Sequence, residues 1–426
     1  MDPLTLGLIA IAAVLGLIIL RVPIAVALIS VSFVGIWAIV GERPAMSMLS
    51  TVPYNFAASW TLSSVPMFLL MGYVAYHSGL TRGLFEAARV WFGWMPGGLA
   101  IASIGGASGF AAVTGSSVAC SAAIGRIAVP EMHRQGYNIS IASGSVAAGG
   151  TIGALIPPSI LLIIYGIQAE VSITKLFLGG LIVGLISLLF YVAAILVAYY
   201  RNPDSLPRAQ SYSMAEKLEA TLEVWPVLLL ILVVFGGLFG GLFTATEAGA
   251  IGAFFSIIIG LIRRQLHWKG FQDSVLDTLL ASGALFMIAI GANLFTRLVA
   301  FSGLSHAIGG WVEGLGLSVL AVLFLLALIY LALGMFLEPI GAMLLTLPLF
   351  LPLVGDYGIS EIWFGLLLAK LLEIGMITPP VGLNVFVIHS VAKDYVRLEQ
   401  IFAGIVPFLI ADLLLVALMI LTQGLL

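Results

Sequence analysis

Long apolar runs separated by short polar turns dominate this chain, and about 17–25 consecutive apolar residues suffice to cross a bilayer as a helix. On that pattern, spans are predicted near 4–20, 24–40, 60–77, 139–168, 176–200, 223–244, 246–263, 271–300, 358–392 and 402–424. Two further apolar stretches, about 99–130 and 317–352, are too long for one crossing. Each carries polar or turn residues in its middle, Thr114-Gly115-Ser116-Ser117 in the first and Glu338-Pro339 in the second, so each is predicted to be a re-entrant hairpin. Leu4–Leu20 has the apolarity of a signal peptide, but Asp2 stands in place of a basic n-region and Arg21-Val22-Pro23 is no small-residue cleavage site, so it reads as the first span.

Two of the spans are interrupted by a double proline. Gly153-Ala154-Leu155-Ile156-Pro157-Pro158-Ser159-Ile160 and Gly375-Met376-Ile377-Thr378-Pro379-Pro380-Val381-Gly382 place these pairs 222 positions apart. A Pro-Pro pair removes two N–H donors and clashes with the preceding turn, so the helix must break there. In hydrocarbon the freed carbonyls are tolerated only where they line a cavity or meet an ion, and matched breaks in two halves of a membrane chain point to a transport site. Each half then holds five crossings and one hairpin, and an odd number of crossings inverts the second half. Weak echoes agree: Ser78-Gly79-Leu80 recurs as Ser302-Gly303-Leu304, Pro130 aligns with Pro352, and Phe177 falls near Phe402. The predicted fold is an all-α polytopic membrane protein with an inverted repeat, 1–200 and 223–426, joined by a polar linker at 201–222.

Composition strengthens the membrane reading: 61% of residues are hydrophobic and 9% charged, against roughly 25% charged in soluble domains. One cysteine, Cys120, excludes an intrachain disulfide and a cysteine metal cluster. Basic residues in the loops set orientation. With the linker in the cytoplasm, Arg21, Arg82, Arg89, Arg126, Arg134, Arg263, Arg264, Lys269, Lys393 and Arg397 share that side, while Arg43 and Lys175 lie opposite. Both termini are then expected to face the periplasm. Gly79–Met95, with Arg82, Glu86 and Arg89 on one face, reads as an interfacial arm helix, and Gly303–Gly314 as its counterpart.

The candidate chemistry gathers at the tips and breaks. Ser116, Ser117, Thr151 and Ser159 put short hydroxyls beside carbonyls freed by a chain break, the neutral oxygens that sodium prefers. The bland reading is that Ser and Thr glue packed helices, the default for an isolated serine, and tip placement together with the repeat argues against it here. A second site would use Thr378, Asn384 and the tip around Glu338-Pro339. The first tip offers Thr114, Ser116 and Ser117 and no titratable group, which favours sodium over a proton as coupling ion.

Gly109–Ser116 lacks the lysine and spacing of a phosphate loop, the five histidines show no metal spacing, and no Gly-x-Ser-x-Gly elbow occurs, so an enzyme is not expected. Three ionisable residues are counted inside predicted spans: Arg297, Lys370 and Glu373. Lys370 and Glu373, three apart on one helix, are placed to pair with each other, which leaves structural neutralisation and a role in transport both open, and Arg297 either snorkels or meets an anionic substrate. Gly236-x-x-x-Gly240 and Gly237-x-x-x-Gly241 predict a close-packing face on one span, for an internal contact or a partner helix.

Gly115-Ser116-Ser117-Val118-Ala119, the Gly149–Pro158 stretch, Gly334-Met335-Phe336-Leu337-Glu338-Pro339 and Ile377–Phe386 resemble the large membrane subunit of TRAP (tripartite ATP-independent periplasmic) transporters over essentially the whole chain. The resemblance implies a sodium-coupled importer of organic acids (dicarboxylates, keto acids or sugar acids) in the bacterial inner membrane. It also implies a periplasmic substrate-binding protein, a small four-helix membrane subunit, lipid contact and an elevator motion, with no cofactor beyond sodium ions and no nucleic acid. Carried over residue by residue, Ser116, Ser117, Thr378 and Asn384 become sodium ligands, with carbonyls near Gly153 and Gly375. Thr114, Thr151, Ser159, Glu338 and Pro380 are the expected substrate contacts. Glu338 departs from the aspartate more usual at the second tip and either reaches the ion or caps its helix. Two other readings compete: an autonomous sodium–dicarboxylate symporter of the same architecture, and a channel or structural scaffold.

Overall fold

The computed structural model describes residues 2–81, 83–207 and 211–423, and its regular structure among them is helical. Arg82 and the end of the 402–424 span therefore lie outside the described residues, as do residues 208–210 of the linker. The first half contains α1 (Pro3–Ile19), α2 (Ile24–Val40), α3 (Glu42–Ala57), α4 (Ser64–His77), α5 (Gly83–Phe92), α6 (Gly98–Thr114), α7 (Ser117–Arg134), α8 (Ile139–Thr151), α9 (Ile160–Gln168) and α10 (Ile173–Arg201). The second contains α11 (Met214–Glu223), α12 (Trp225–Phe239), α13 (Ala245–Ile262), α14 (Trp268–Ser302), α15 (Leu304–Gly314), α16 (Val319–Phe336), α17 (Pro339–Asp356), α18 (Glu361–Gly375), α19 (Leu383–Ala392) and α20 (Leu398–Leu421).

Local chemistry accounts for most of these boundaries. Asn138 caps α8 by accepting from the amides of Ser140 and Ile141, and Ser213 with Glu216 and Thr244 with Glu247 form capping boxes at α11 and α13. The helices stop on either side of both double prolines, and Pro157–Pro158 and Pro379–Pro380 are cis. α6 and α7 are joined through Gly115 and Ser116, and α16 and α17 through Leu337 and Glu338.

Six helices among the described residues are individually long and apolar enough to cross a membrane, and up to eight spans result if two bent pairs count as one each. Those pairs involve α3, to which the hydropathy reading assigns no element, bent 60° from the segment leading into α4, and α11, bent 62° from α12. Both escaped because they are short and mixed in polarity, without a 17-residue apolar run. Residues such as Leu189, Leu232, Phe254 and Leu414 stay outward and exposed. This is the inverse of a soluble surface and befits a multi-pass membrane protein.

The core interleaves the two halves. One apolar cluster joins residues of α1, α2, α9, α14 and α16–α18, and the other joins α5–α8 with α19 and α20. α8 and α20 meet backbone to backbone: a Cβ at Gly404 would lie 1.8 Å from the Ser140 carbonyl oxygen, and one at Gly144 2.2 Å from that of Gly404. The glycine face expected around Gly236–Gly241 is not formed on one span. α12 ends at Phe239, nothing approaches within 4 Å of a Cβ at Gly236 or Gly241, and Gly237 instead receives the ring of Phe243.

Candidate functional site

The first tip docks against the first break. A Cβ at Gly115, whose φ is +62°, would lie 2.0 Å from the carbonyl oxygen of Pro158, and one at Gly153 would lie 3.2 Å from the carbonyl oxygen of Ser116 and from Cα of Ser117. These two glycines bring the polar tip onto the broken backbone. The Ser116 hydroxyl accepts from the Ala119 amide and caps α7, and Thr114 Oγ1 donates to the Phe110 carbonyl at 3.1 Å. Inside the break, Ser159 Oγ donates to the Ala154 carbonyl at 2.5 Å and accepts from the Leu162 amide at 3.2 Å. Ser159 thereby holds the break's shape and caps α9.

Ser117 reaches across 256 residues of sequence: its hydroxyl donates to Glu373 Oε1 at 3.2 Å. This corrects the expectation that the first tip has no ionisable partner, because α18 brings a buried carboxylate to it. Around the second break, the Asn384 amide donates to the Met376 carbonyl at 3.0 Å, and Thr378 Oγ1 donates to that of Ile374 at 2.6 Å. A Cβ at Gly375 would meet the backbone of Gly334 at 2.4 Å, so α16 supports α18 where it ends. Asn384 is fully buried, and neither polar atom of its side chain has a partner.

The expected Lys370–Glu373 pair is not formed. Lys370 Nζ instead binds Asp412 Oδ1 at 2.6 Å, with both side chains at 0% exposure. Asp412 Oδ2 accepts from the Tyr191 hydroxyl at 2.7 Å, and that hydroxyl lies 2.9 Å from Thr151 Oγ1. Thr151 thus belongs to a buried chain that runs from α8 through α10 and α20 to α18. The count of three intramembrane ionisable residues was short. Asp412 sits in the apolar run of α20, and Asp277 of α14 meets His77 at 2.8 Å. Asp412 stands as a lone acid inside the predicted span 402–424, and Asp277 shares the span 271–300 with Asp273.

A cavity of about 700 Å³ lies where α2, α4 and α14 face the two tips. Pro23, Tyr73 and Leu285 contribute from the first group, and Thr114, Ser116, Arg126 and Glu338 from the second. Of the two roles the sequence left open for Glu338, the cap is formed: its carboxylate accepts from the Gly341 amide at 3.0 Å at the start of α17, and the residue also lines the cavity. Of the other expected substrate contacts, Thr151 and Ser159 are wholly buried and Pro380 is exposed, and none of the three lines this cavity. Arg297 lines a separate cavity of about 240 Å³ with Gln168, Glu170 and Asn293.

A sequence profile of the tripartite ATP-independent periplasmic transporter DctM component matches residues 11–425. The chain is 35% identical over 340 residues to the C4-dicarboxylate TRAP transporter large permease protein DctM of Pseudomonas aeruginosa, covering 79% of each protein. It is 32% identical over 408 residues to the isethionate TRAP transporter permease protein DctMQ of Oleidesulfovibrio alaskensis, covering 96% of this chain and spanning 63% of that relative's length. In fold it is similar to the solved structure of the Alcanivorax borkumensis YdaH transporter, with a TM-score of 0.70 at 15% identity and 90% of each chain covered.

Proposed function

The chain belongs to the DctM component family of tripartite ATP-independent periplasmic transporters, and from that premise we propose that it imports an organic acid together with sodium, by an elevator motion of its tips and breaks. The observation that carries the reading is the docking of the Ser116–Ser117 tip onto the first Pro-Pro break, with Gly153 and Gly115 as the contact points. It gathers hydroxyl and carbonyl oxygens in the interior, as a monovalent cation site requires. Ser116, Ser117, Thr378 and Asn384 are the proposed sodium ligands, with carbonyls near Gly153 and Gly375.

The cavity is the proposed substrate chamber. It lies between α2, α4 and α14, proposed as fixed scaffold, and the tips, which would move with the broken helices as two inverted repeats. Arg126 supplies it with a cation, which favours an anionic substrate such as a carboxylate. Thr114 and Glu338 are the proposed substrate contacts here. The linker is assigned to the cytoplasm and both termini to the periplasm, which follows the basic-residue asymmetry.

Sodium dependence tests the ion site. Ser117→Ala or Asn384→Ala removes one of several oxygens, a loss on the order of 1–3 kcal/mol. The sodium concentration for half-maximal uptake by the assembled transporter should rise roughly 5- to 150-fold. Uptake that is unchanged when potassium replaces sodium at constant pH would refute sodium coupling.

Partner dependence separates this reading from the autonomous symporter. In proteoliposomes the chain alone should give little uptake, and activity should return when the small membrane subunit and the substrate-binding protein are both added. Concentrative uptake by the isolated chain would favour the symporter.

A further inference from the structure

Three charge-bearing side chains are enclosed in the interior among the described residues: Lys370 and Asp412 at 0% exposure and Glu373 at 1%. Asp412 takes the lysine, with Oδ1 on Nζ and Oδ2 receiving the Tyr191 hydroxyl. With all three groups ionised, the set is one negative charge in excess, and that charge falls on Glu373. Glu373 Oε1 accepts from Ser117, while Oε2 is buried without a partner. An enclosed carboxylate with no counter-charge is among the costliest groups a membrane interior can hold.

Other buried polar side chains on α7 and α19 also lack partners. Ser121, one helical turn beyond Ser117 on α7, has a buried hydroxyl with no partner. A Cβ at Gly150 would lie 1.9 Å from that hydroxyl and 3.2 Å from the Ser117 carbonyl oxygen, so α8 closes the site from the other side. Asn384, tied through its backbone amide to Met376 just after Glu373, is buried with both amide atoms unpartnered. Buried polar atoms left without partners on α7, α18 and α19 each call for an explanation, and a group that binds among them supplies one.

We infer that Glu373 is the anionic ligand of the tip site, its free carboxylate oxygen binding the cation together with the hydroxyl of Ser117. This deepens the sodium reading and rests on it. The ion cancels the surplus charge, so Lys370, Asp412, Glu373 and one sodium sum to zero. The loaded interior then crosses hydrocarbon neutral, whereas the empty one carries a charge that opposes movement. Ion occupancy and domain motion become linked through one carboxylate.

The competing account is that Glu373 carries a proton, and Glu373→Gln separates the two because glutamine reproduces the shape of the neutral acid. The full chain with its small membrane subunit would be held in lipid nanodiscs and its unfolding midpoint titrated with sodium chloride, potassium chloride keeping ionic strength constant. The wild type should be stabilised by sodium, and E373Q should need at least about 100-fold more sodium for the same stabilisation. Glu373→Asp should keep a weaker, sodium-specific response. An E373Q titration matching the wild type overturns the inference, as does equal loss in E373Q and E373D. Should E373Q fail to fold, E373D decides: a weakened sodium-specific response supports the ligand, and a wild-type titration overturns it. Absence of any sodium-specific response in the wild type refutes the sodium reading itself.

Discussion

Lys370→Met should cost the folded protein about 3–5 kcal/mol, because it leaves Asp412 buried without its cation. Asp412 is at 0% exposure and holds Lys370 at 2.6 Å, so no water is at hand to replace the ammonium. Tyr191 still donates to one oxygen at 2.7 Å, which keeps the loss from being larger. The double variant Lys370→Met with Asp412→Leu removes both charges and should regain most of the stability, since apolar replacement of a buried pair is often neutral. Denaturant unfolding of the three proteins in nanodiscs measures this. A single variant as stable as the double would mean that the pair is dispensable and that Asp412 finds another counter-charge.

The second large effect is expected at the first tip. Gly115→Ala places a side chain in the left-handed region, at φ +62°, and 2.0 Å from the Pro158 carbonyl oxygen. The conformational part costs about 1–2 kcal/mol, and crowding against backbone that cannot rotate away adds about 1–3 kcal/mol. Gly303 separates the two contributions, having φ +68° with nothing within 4 Å of its Cβ position. Gly303→Ala should therefore lose only the first part and retain uptake. Gly115→Ala should lose both and, by lifting the tip from the break, reduce sodium-dependent uptake by at least about tenfold, 1.4 kcal/mol being one factor of ten. Equal effects of the two substitutions would show that the docking contact contributes nothing.

Sequence reading succeeded where the cause is local and failed where it is not. The helix interruptions at 157–158 and 379–380 follow from proline stereochemistry alone, and the tip residues are legible as polar interruptions of apolar runs. α11 was legible too, in its capping box of Ser213 and Glu216, but hydropathy gave that signal no weight. α3 has no comparable signal: its N-cap is Gly41, with no side-chain cap.

The pairing of charges was decided by tertiary structure. Lys370 and Glu373 share a helix, and spacing by itself favours their contact. A lysine side chain is long and flexible, however, and in an enclosed interior it goes to the carboxylate that also satisfies its neighbours. That acid is Asp412, 42 residues away, already oriented by Tyr191. The same packing leaves Glu373 to face Ser117 across 256 residues.

The sequence by itself determined that this is an apolar, many-helix chain, where its helices must break, and which short hydroxyls lie at the breaks, since each depends on residues adjacent along the backbone. Only the tertiary structure decided which carboxylate meets the tip, which acid neutralises the lysine, and that Thr151 and Ser159 serve the scaffold of the break while Thr114 and Glu338 line the cavity. A side chain's choice between partners depends on which helices are brought together and how tightly water is excluded between them, and no spacing along one helix contains that information.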